Sequence, residues 1–160
     1  MKLWIIYKNG IGFSKIIAEM LQDRLEDYID VSVGTAKKID PALLVEERFE
    51  FLMIGDTIIK EIPSSEIQNW LLKYWEISNE RKNTLKAISG FYIVQTDISV
   101  EPLWVEFFNS KVRAELIFPS ILRLRLNVEE LSLENGTPEL IKKYSNDFVE
   151  FIINNKNSIN

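Results

Sequence analysis

Apolar runs and amphipathic segments alternate along this chain, and the alternation constrains its fold more than any other feature. The run Lys2–Tyr7 is continuously apolar after its first residue, as expected of a strand that is covered on both faces. A helix of about a dozen residues follows, with Ile17, Leu21 and Leu25 at helical spacing on one side. This strand–helix unit recurs about five times, which predicts an α/β fold with a parallel sheet and helices on both faces.

The other strands follow from the same alternation. They are predicted at residues 30–33, 49–54, 87–94 and 113–118, and residues 122–128 are predicted to be extended with one solvent-exposed face. The sequence Gly55-Asp56-Thr57 indicates a turn directly after the third strand.

Two helix starts carry capping signals. Ser65 and Gln68 have the spacing of a capping box at the start of the helix after Pro63. Thr137 is predicted to be the N-cap of a final helix that runs to about residue 154. We expect one domain at residues 1–154 and a polar C-terminal tail at residues 155–160.

The absence of histidine and cysteine excludes several kinds of chemistry. Without cysteine there is no disulfide, no thiolate nucleophile and no cysteine-held zinc or iron–sulfur site. Without histidine there is no Ser-His-Asp triad and none of the usual imidazole metal ligands. If the chain is an enzyme, carboxylates, lysines or a bound organic cofactor must carry the reaction.

The charge balance and the hydropathy limit the partners. The formal net charge of −5 disfavours nucleic acid as a partner, because phosphate binding needs a concentrated positive surface. No apolar stretch is long enough to span a membrane, and the N-terminus does not resemble a secretory signal. We therefore expect a cytoplasmic protein.

The loop from Asn9 to Ser14 is the first candidate site, because ligands of parallel α/β sheets bind at the carboxyl ends of the strands. Its glycines, Gly10 and Gly12, allow backbone amides to approach an anion, and the next helix presents its positive end there. The loop contains neither a dinucleotide-binding nor a Walker motif. The alternative interpretation is that both glycines only turn the chain from strand to helix.

The same residues carry a family resemblance. Residues 7–14, followed by the helix start KIIAE at residues 15–19, resemble the aromatic-ended strand, [ST]-x-T-G-x-T loop and K-[IV]-A-E helix of flavodoxins. Residues 51–57 and 62–67 are similar to the family's third strand and following helix start. The resemblance covers nearly the whole chain and is closest to the branch related to menaquinone-dependent protoporphyrinogen oxidase. It implies a flavodoxin-like three-layer α/β/α sandwich whose five-stranded parallel sheet has the order 2-1-3-4-5.

The resemblance also implies an FMN site. The phosphate would lie at the first loop, where Ile11 stands in place of a family Thr, and the ring would lie between the loops after the third and fourth strands. The implied cofactor-binding residues are Asn9, Gly10, Ile11, Gly12, Phe13, Ser14, Asp56, Thr57, Ile58, Ile59, Thr96 and Asp97. The implied function is FMN-dependent redox chemistry or electron transfer. The electrons would pass to or from a redox partner protein or a small-molecule electron acceptor. The acidic surface of this chain suits a partner protein with a basic surface.

Three points stay open in the sequence. A flavodoxin-like domain without a cofactor could instead be an interaction or regulatory module. Asp56 could lower the potential of a nearby flavin or simply cap a turn. An Asp after the third strand also suits a response-regulator receiver, but Lys8 and Asn9 stand where receivers need an acidic pair. Trp104, near the fourth-strand loop, is interpreted as a core residue.

Overall fold

The computed structural model of the chain describes residues 1–9, 12–58, 63–95, 101–118 and 120–156. The strands are β1 (Lys2–Tyr7), β2 (Asp30–Thr35), β3 (Phe51–Ile58), β4 (Leu85–Val94), β5 (Ala114–Ile117), β6 (Leu122–Asn127) and β7 (Ser132–Leu133). The helices are α1 (Phe13–Leu25), α2 (Pro41–Glu47), α3 (Ser65–Glu80), α4 (Glu101–Lys111) and α5 (Thr137–Lys156).

The strands of the described residues form one sheet in the order β2-β1-β3-β4-β6-β7, and β5 also pairs with β4. Every pairing is parallel except that of β6 with β7. β5 pairs with the first half of β4 and β6 with its second half, so together they occupy the fifth position of the sheet. The predicted order 2-1-3-4-5 is confirmed, and its fifth position is divided between two strands. The sequence has Pro119 between them, and proline has no N–H to donate to a ladder.

Helices cover both faces of the sheet, which confirms the three-layer α/β/α arrangement. One apolar cluster packs Ile17 and Leu21 of α1 and Phe148 of α5 against the strands. The other cluster lies on the opposite face and contains residues of α2, α3 and α4. Trp104 of α4 is fully buried in that second cluster, 5.5 Å from the Phe108 ring, so its interpretation as a core residue is confirmed.

β3 is longer than its apolar run suggests, and the predicted turn at Gly55 is wrong. The strand pairs with β4 along its whole length, from Phe51 opposite Ala87 to Ile58 opposite Val94. A Cβ atom at Gly55 would lie 2.1 Å from Cζ of Phe91. The glycine therefore allows the Phe91 ring to lie against β3, and Asp56 is a strand residue.

The final helix, α5, differs from its prediction at both ends. The Thr137 hydroxyl donates to the carbonyl of Glu134 at 2.7 Å, and the carbonyl of Gly136 accepts the N–H of Leu140 at 3.1 Å. Thr137 is therefore not the N-cap, because its hydroxyl bonds backward to the preceding turn. The helix continues to Lys156, and residues 157–160 lie outside the described residues. Of the helices that the structure describes, none is long and apolar enough to cross a membrane.

Replacing Gly55 by Ala lowers the free energy of unfolding by about 1–3 kcal/mol, because the added methyl overlaps the Phe91 ring. Urea unfolding measures the change. In a Phe91→Leu background the same substitution costs less, because the overlapping ring atoms are gone. Equal costs in the two backgrounds would contradict this explanation of the glycine.

Candidate functional site

The candidate site lies where the ends of three neighbouring strands meet. The carbonyl of Tyr7, at the end of β1, accepts the N–H of Ala36 at 2.9 Å, and the Lys8 N–H donates to the carbonyl of Gly55 at 3.0 Å. β1 therefore ends level with β2, whereas β3 continues past Gly55 to Ile58. α1 packs on one face of the sheet and α3 on the other, so β1 and β3 form a switch point, where open α/β sheets bind ligands in a crevice.

The turn from β1 into α1 ends at Gly12, which has φ 96° and ψ −17°. A side chain is strained at this φ, although a Cβ atom would meet nothing within 4 Å. Among the described residues, no side chain caps α1, and its first turn has no acidic residue. Within that part of the chain, the helix thus presents unpaired backbone N–H groups and a partial positive charge, an arrangement that can bind an anion.

Two hydroxyl groups from different elements meet behind this turn. Ser14 of α1 is almost completely buried, and its Oγ lies 3.3 Å from Oγ1 of Thr57 in β3. Each hydroxyl has one hydrogen to donate, so when one group donates to the other, the second hydrogen is free. The pair can therefore donate one further hydrogen bond to an oxygen in the crevice.

The other predicted site residues fall into three groups. Phe13 is partly buried and packs against the core cluster that contains residues of α1 and α5. Asn9 is exposed at the end of β1, whereas Ile58 is buried in the core on the α3 face. Gly10, Ile11, Ile59, Thr96 and Asp97 lie outside the described residues.

Asp56 is fully buried and joins the end of β3 to the start of α3. Its Oδ1 accepts the N–H of Thr57 at 2.8 Å, and its Oδ2 accepts the N–H of Ser64 at 2.6 Å. Both oxygens are thus bonded to backbone amides on either side of the loop after β3. Asp56 therefore holds the end of β3 and the N-cap of α3 rather than a turn at Gly55, and a carboxylate enclosed in this way is not presented as a phosphoacceptor.

The cap of α3 lies one residue earlier than predicted. Ser64, not Ser65, is the N-cap, and its Oγ accepts the N–H of Ile67 at 3.5 Å. Gln68 donates its amide to the carbonyl of Pro63 at 2.6 Å. The N-cap N–H, which a capping-box side chain would accept, is already taken by Asp56. The sequence spacing missed this bond because the acceptor comes from another element.

The environment of Asp56 affects its ionisation. Burial raises the pKa of Asp56 above its ordinary value, although the hydrogen bonds from Ser64 and Thr57 and the charge of Lys8 act in the opposite direction. Among the described residues, no three acidic side chains are grouped so that they could hold a metal ion.

Asp56→Asn lowers the free energy of unfolding by about 1–3 kcal/mol near pH 7, because the amide nitrogen cannot accept a backbone N–H. The raised pKa means that the folded chain holds the Asp56 proton more tightly than the unfolded chain. Stability from this group is therefore present below the unfolded pKa and is lost as the pH rises through the raised pKa.

Urea unfolding of both proteins between about pH 4 and pH 7 tests the sign, because their other carboxyl groups are the same. The wild-type protein should gain stability relative to Asp56→Asn as the pH falls. A gap that narrows as the pH falls would show that the hydrogen bonds of the carboxylate outweigh its burial.

No protein-family profile and no curated protein sequence matches this chain. Solved structures do match it. Oxidised flavodoxin 1 from Bacillus cereus superimposes with a TM-score of 0.70 at 13% identity, covering 94% of this chain and 98% of that one. A flavodoxin from the domain Archaea gives a TM-score of 0.73 at 16% identity, covering 95% and 99%.

A larger protein contains a similar domain. The rubredoxin oxygen:oxidoreductase of Desulfovibrio gigas gives a TM-score of 0.74 at 10% identity over 93% of this chain but only 35% of its own length. Likeness at such low identity shows architecture alone. Together with the strand order and the layers, it establishes that this chain has the flavodoxin-like fold.

Proposed function

We propose that this chain binds FMN, with the phosphate at the turn between β1 and α1, and that it serves as an electron-transfer protein. The observation that carries the proposal is the geometry at Gly12. There, α1 begins without a side-chain cap among the described residues, and nothing beyond the two chain neighbours of Gly12 lies within 4 Å of its Cβ position. The flavodoxin-like fold supports the identity of the ligand, because the similar structures include oxidised and two-electron-reduced flavodoxins.

The residues at the turn suit a phosphate monoester. The first-turn backbone amides of α1 would donate to its oxygens, and the Ser14–Thr57 hydroxyl pair would add one donor. Lys8, next to β1, would add a positive charge at the same edge. These groups would bind and orient the phosphate, and none of them is a side chain that titrates near neutral pH.

FMN would supply the redox chemistry, since it accepts and releases one or two electrons, and the chain lacks histidine and cysteine. The chain itself would bind and shield the ring. Asp56 contributes by holding the backbone amides of Thr57, at the end of β3, and of Ser64, at the start of α3. The negative charge of Asp56 near the flavin ring would disfavour the anionic reduced flavin. It would thereby lower the reduction potential of the flavin.

Several finer assignments remain part of the proposal. They are phosphate contacts from Asn9, Gly10 and Ile11, and ring contacts from Ile58, Ile59, Thr96 and Asp97. They also include the kinship with the protoporphyrinogen oxidase branch, a redox partner protein or small-molecule electron acceptor, and a cytoplasmic location.

A cofactor-free interaction module is the second candidate function. One observation favours it: the polar groups of the site already bond to one another, Ser14 to Thr57 and Asp56 to two backbone amides. Trp104, moreover, is buried in the core rather than presented at the crevice. The titration below separates the two candidates.

Gly12→Val should weaken FMN binding by about 10- to 100-fold, because the side chain strains the turn and shields the amides from the phosphate. Quenching of flavin fluorescence on titration with protein measures the dissociation constant. Wild-type protein that gives no quenching at micromolar concentration would exclude the FMN proposal and favour the second candidate.

Gly136→Val is the matched control. Gly136 also precedes a helix at positive φ, 88°, with nothing within 4 Å of its Cβ position, so the backbone strain is comparable. The control should lose stability and keep FMN affinity. Equal affinity losses in the two variants would show that the effect comes from strain and that the phosphate is not at the turn.

A further inference from the structure

A positively charged cleft lies outside the proposed flavin site, between α3 and the connection from β2 to α2. We call it the lysine cleft. Its volume is about 430 Å³, and the side chains that give it its chemistry are Lys37, Lys38, Asp40, Glu66, Trp70 and Lys73. The cleft has three lysines against two carboxylates, although the whole chain has a formal net charge of −5.

Two of the lysines are free to bind a ligand. Lys73 is engaged, because its Nζ lies 3.0 Å from Oδ1 of Asp40. Lys37 and Lys38 are exposed, and neither forms an ion pair with any carboxylate that the structure describes. The free positive charge of the cleft is therefore concentrated at these two adjacent residues.

Two contacts of Trp70 hold the floor of the cleft in place. The indole N–H of Trp70 donates to the carbonyl of Ile39 at 2.8 Å, which ties α3 to the connection between β2 and α2. The Trp70 ring stacks on Tyr74 with 5.6 Å between centroids and 2° between planes. A ligand thus meets a preformed surface, which reduces the ordering cost of binding.

Glu66 also affects which ligand the cleft can bind, because its carboxylate accepts hydrogen bonds, whereas the lysines donate them. It lines the cleft, and its Oε1 is buried without a hydrogen-bond partner among the described residues. A buried acceptor left unpaired costs free energy. Glu66 as a whole is half-buried and its terminal torsion is soft, so rotation of the carboxylate can bring this oxygen to a ligand that donates an N–H. The cleft therefore suits a ligand that has negative charges for the lysines and an N–H donor for Glu66.

We infer that the lysine cleft binds an acidic segment of a partner protein, with its carboxylates at Lys37 and Lys38 and a backbone N–H at Glu66. A polypeptide has both groups at short spacing, whereas a simple anion lacks the N–H donors. A nucleic-acid backbone fits less well, because it has negative phosphates for the lysines but no N–H donor for Glu66. The inference does not depend on FMN.

Acetylated hexaglutamate is a suitable probe, added to the full chain labelled with nitrogen-15 at about 20 mM salt, where screening is weak. Saturable shifts are expected at the Trp70 indole N–H and at the Lys37 and Lys38 amides. Lys38→Glu should weaken binding at least about five-fold, corresponding to roughly 1 kcal/mol. Lys142→Glu, an exposed position on α5 with the same change in charge, should weaken it less than about two-fold.

Glu66→Ala separates this proposal from simple charge attraction. Removing a negative charge from a basic cleft should tighten the binding of any anion, whereas losing the acceptor should weaken a peptide that donates to it. We expect binding to weaken by about two- to five-fold. Tighter binding would overturn the proposal, as would equal effects of Lys38→Glu and Lys142→Glu.

Two further probes test the nature of the occupant. Inorganic phosphate and hexathymidylate should each bind more weakly than hexaglutamate, and equal or tighter binding of either would overturn the proposal. Self-association of the chain that Lys38→Glu abolishes would make the occupant a second copy, which would also overturn it. None of these readouts requires flavin, so failure here is distinguishable from failure of the FMN proposal.

Discussion

The parallel pairing of β1 with β3 determines where the residues of the proposed phosphate site lie. The register places Tyr7 opposite Gly55, so β3 extends beyond the end of β1 and brings Thr57 within 3.3 Å of Ser14. One exit leads to α1 on one face and the other leads toward α3 on the opposite face. The crevice, the open turn at Gly12 and the meeting of Ser14 with Thr57 all follow from this pairing.

Asp56 is the second residue on which the site depends. Its buried carboxylate accepts hydrogen bonds from backbone amides and not from a ligand. Taking a carboxylate out of water is costly, and the two amides that it accepts offset that cost only in part, as its raised pKa indicates. The result is that Asp56 links the end of β3, at Thr57, to the N-cap of α3, at Ser64.

The sequence pattern correctly predicted those strands and helices that depend only on residues close to each other in the chain. The continuous apolar run of β1 correctly predicted where that strand begins and ends. The helical spacing of apolar residues correctly predicted the buried face of α3, which includes Trp70 and Tyr74. The errors arose where a distant partner decides the outcome. Gly55 looks like a turn residue until the Phe91 ring is seen against it, and Ser64 is the N-cap because Asp56 holds its N–H.

The candidate site also has features that the sequence could predict and features that it could not. The glycine turn and its hydroxyl at Ser14 were predictable, since a strand followed by a glycine-rich loop and a helix is a local pattern. The contact of Ser14 with Thr57 was not, and neither was the Glu66 oxygen that lacks a partner in the described part of the chain, because each depends on tertiary packing. The lysine cleft likewise joins two segments that are distant in sequence, and neither segment alone suggests a site.

The most direct test of the central claim compares FMN with riboflavin, which lacks the phosphate, by nitrogen-15 NMR of the full chain. If the phosphate lies at the turn between β1 and α1, FMN should shift the amide resonances of Gly12, Phe13 and Ser14 strongly, and riboflavin should leave them nearly unchanged. Shifts of equal size with both compounds, or none with FMN, would contradict the account.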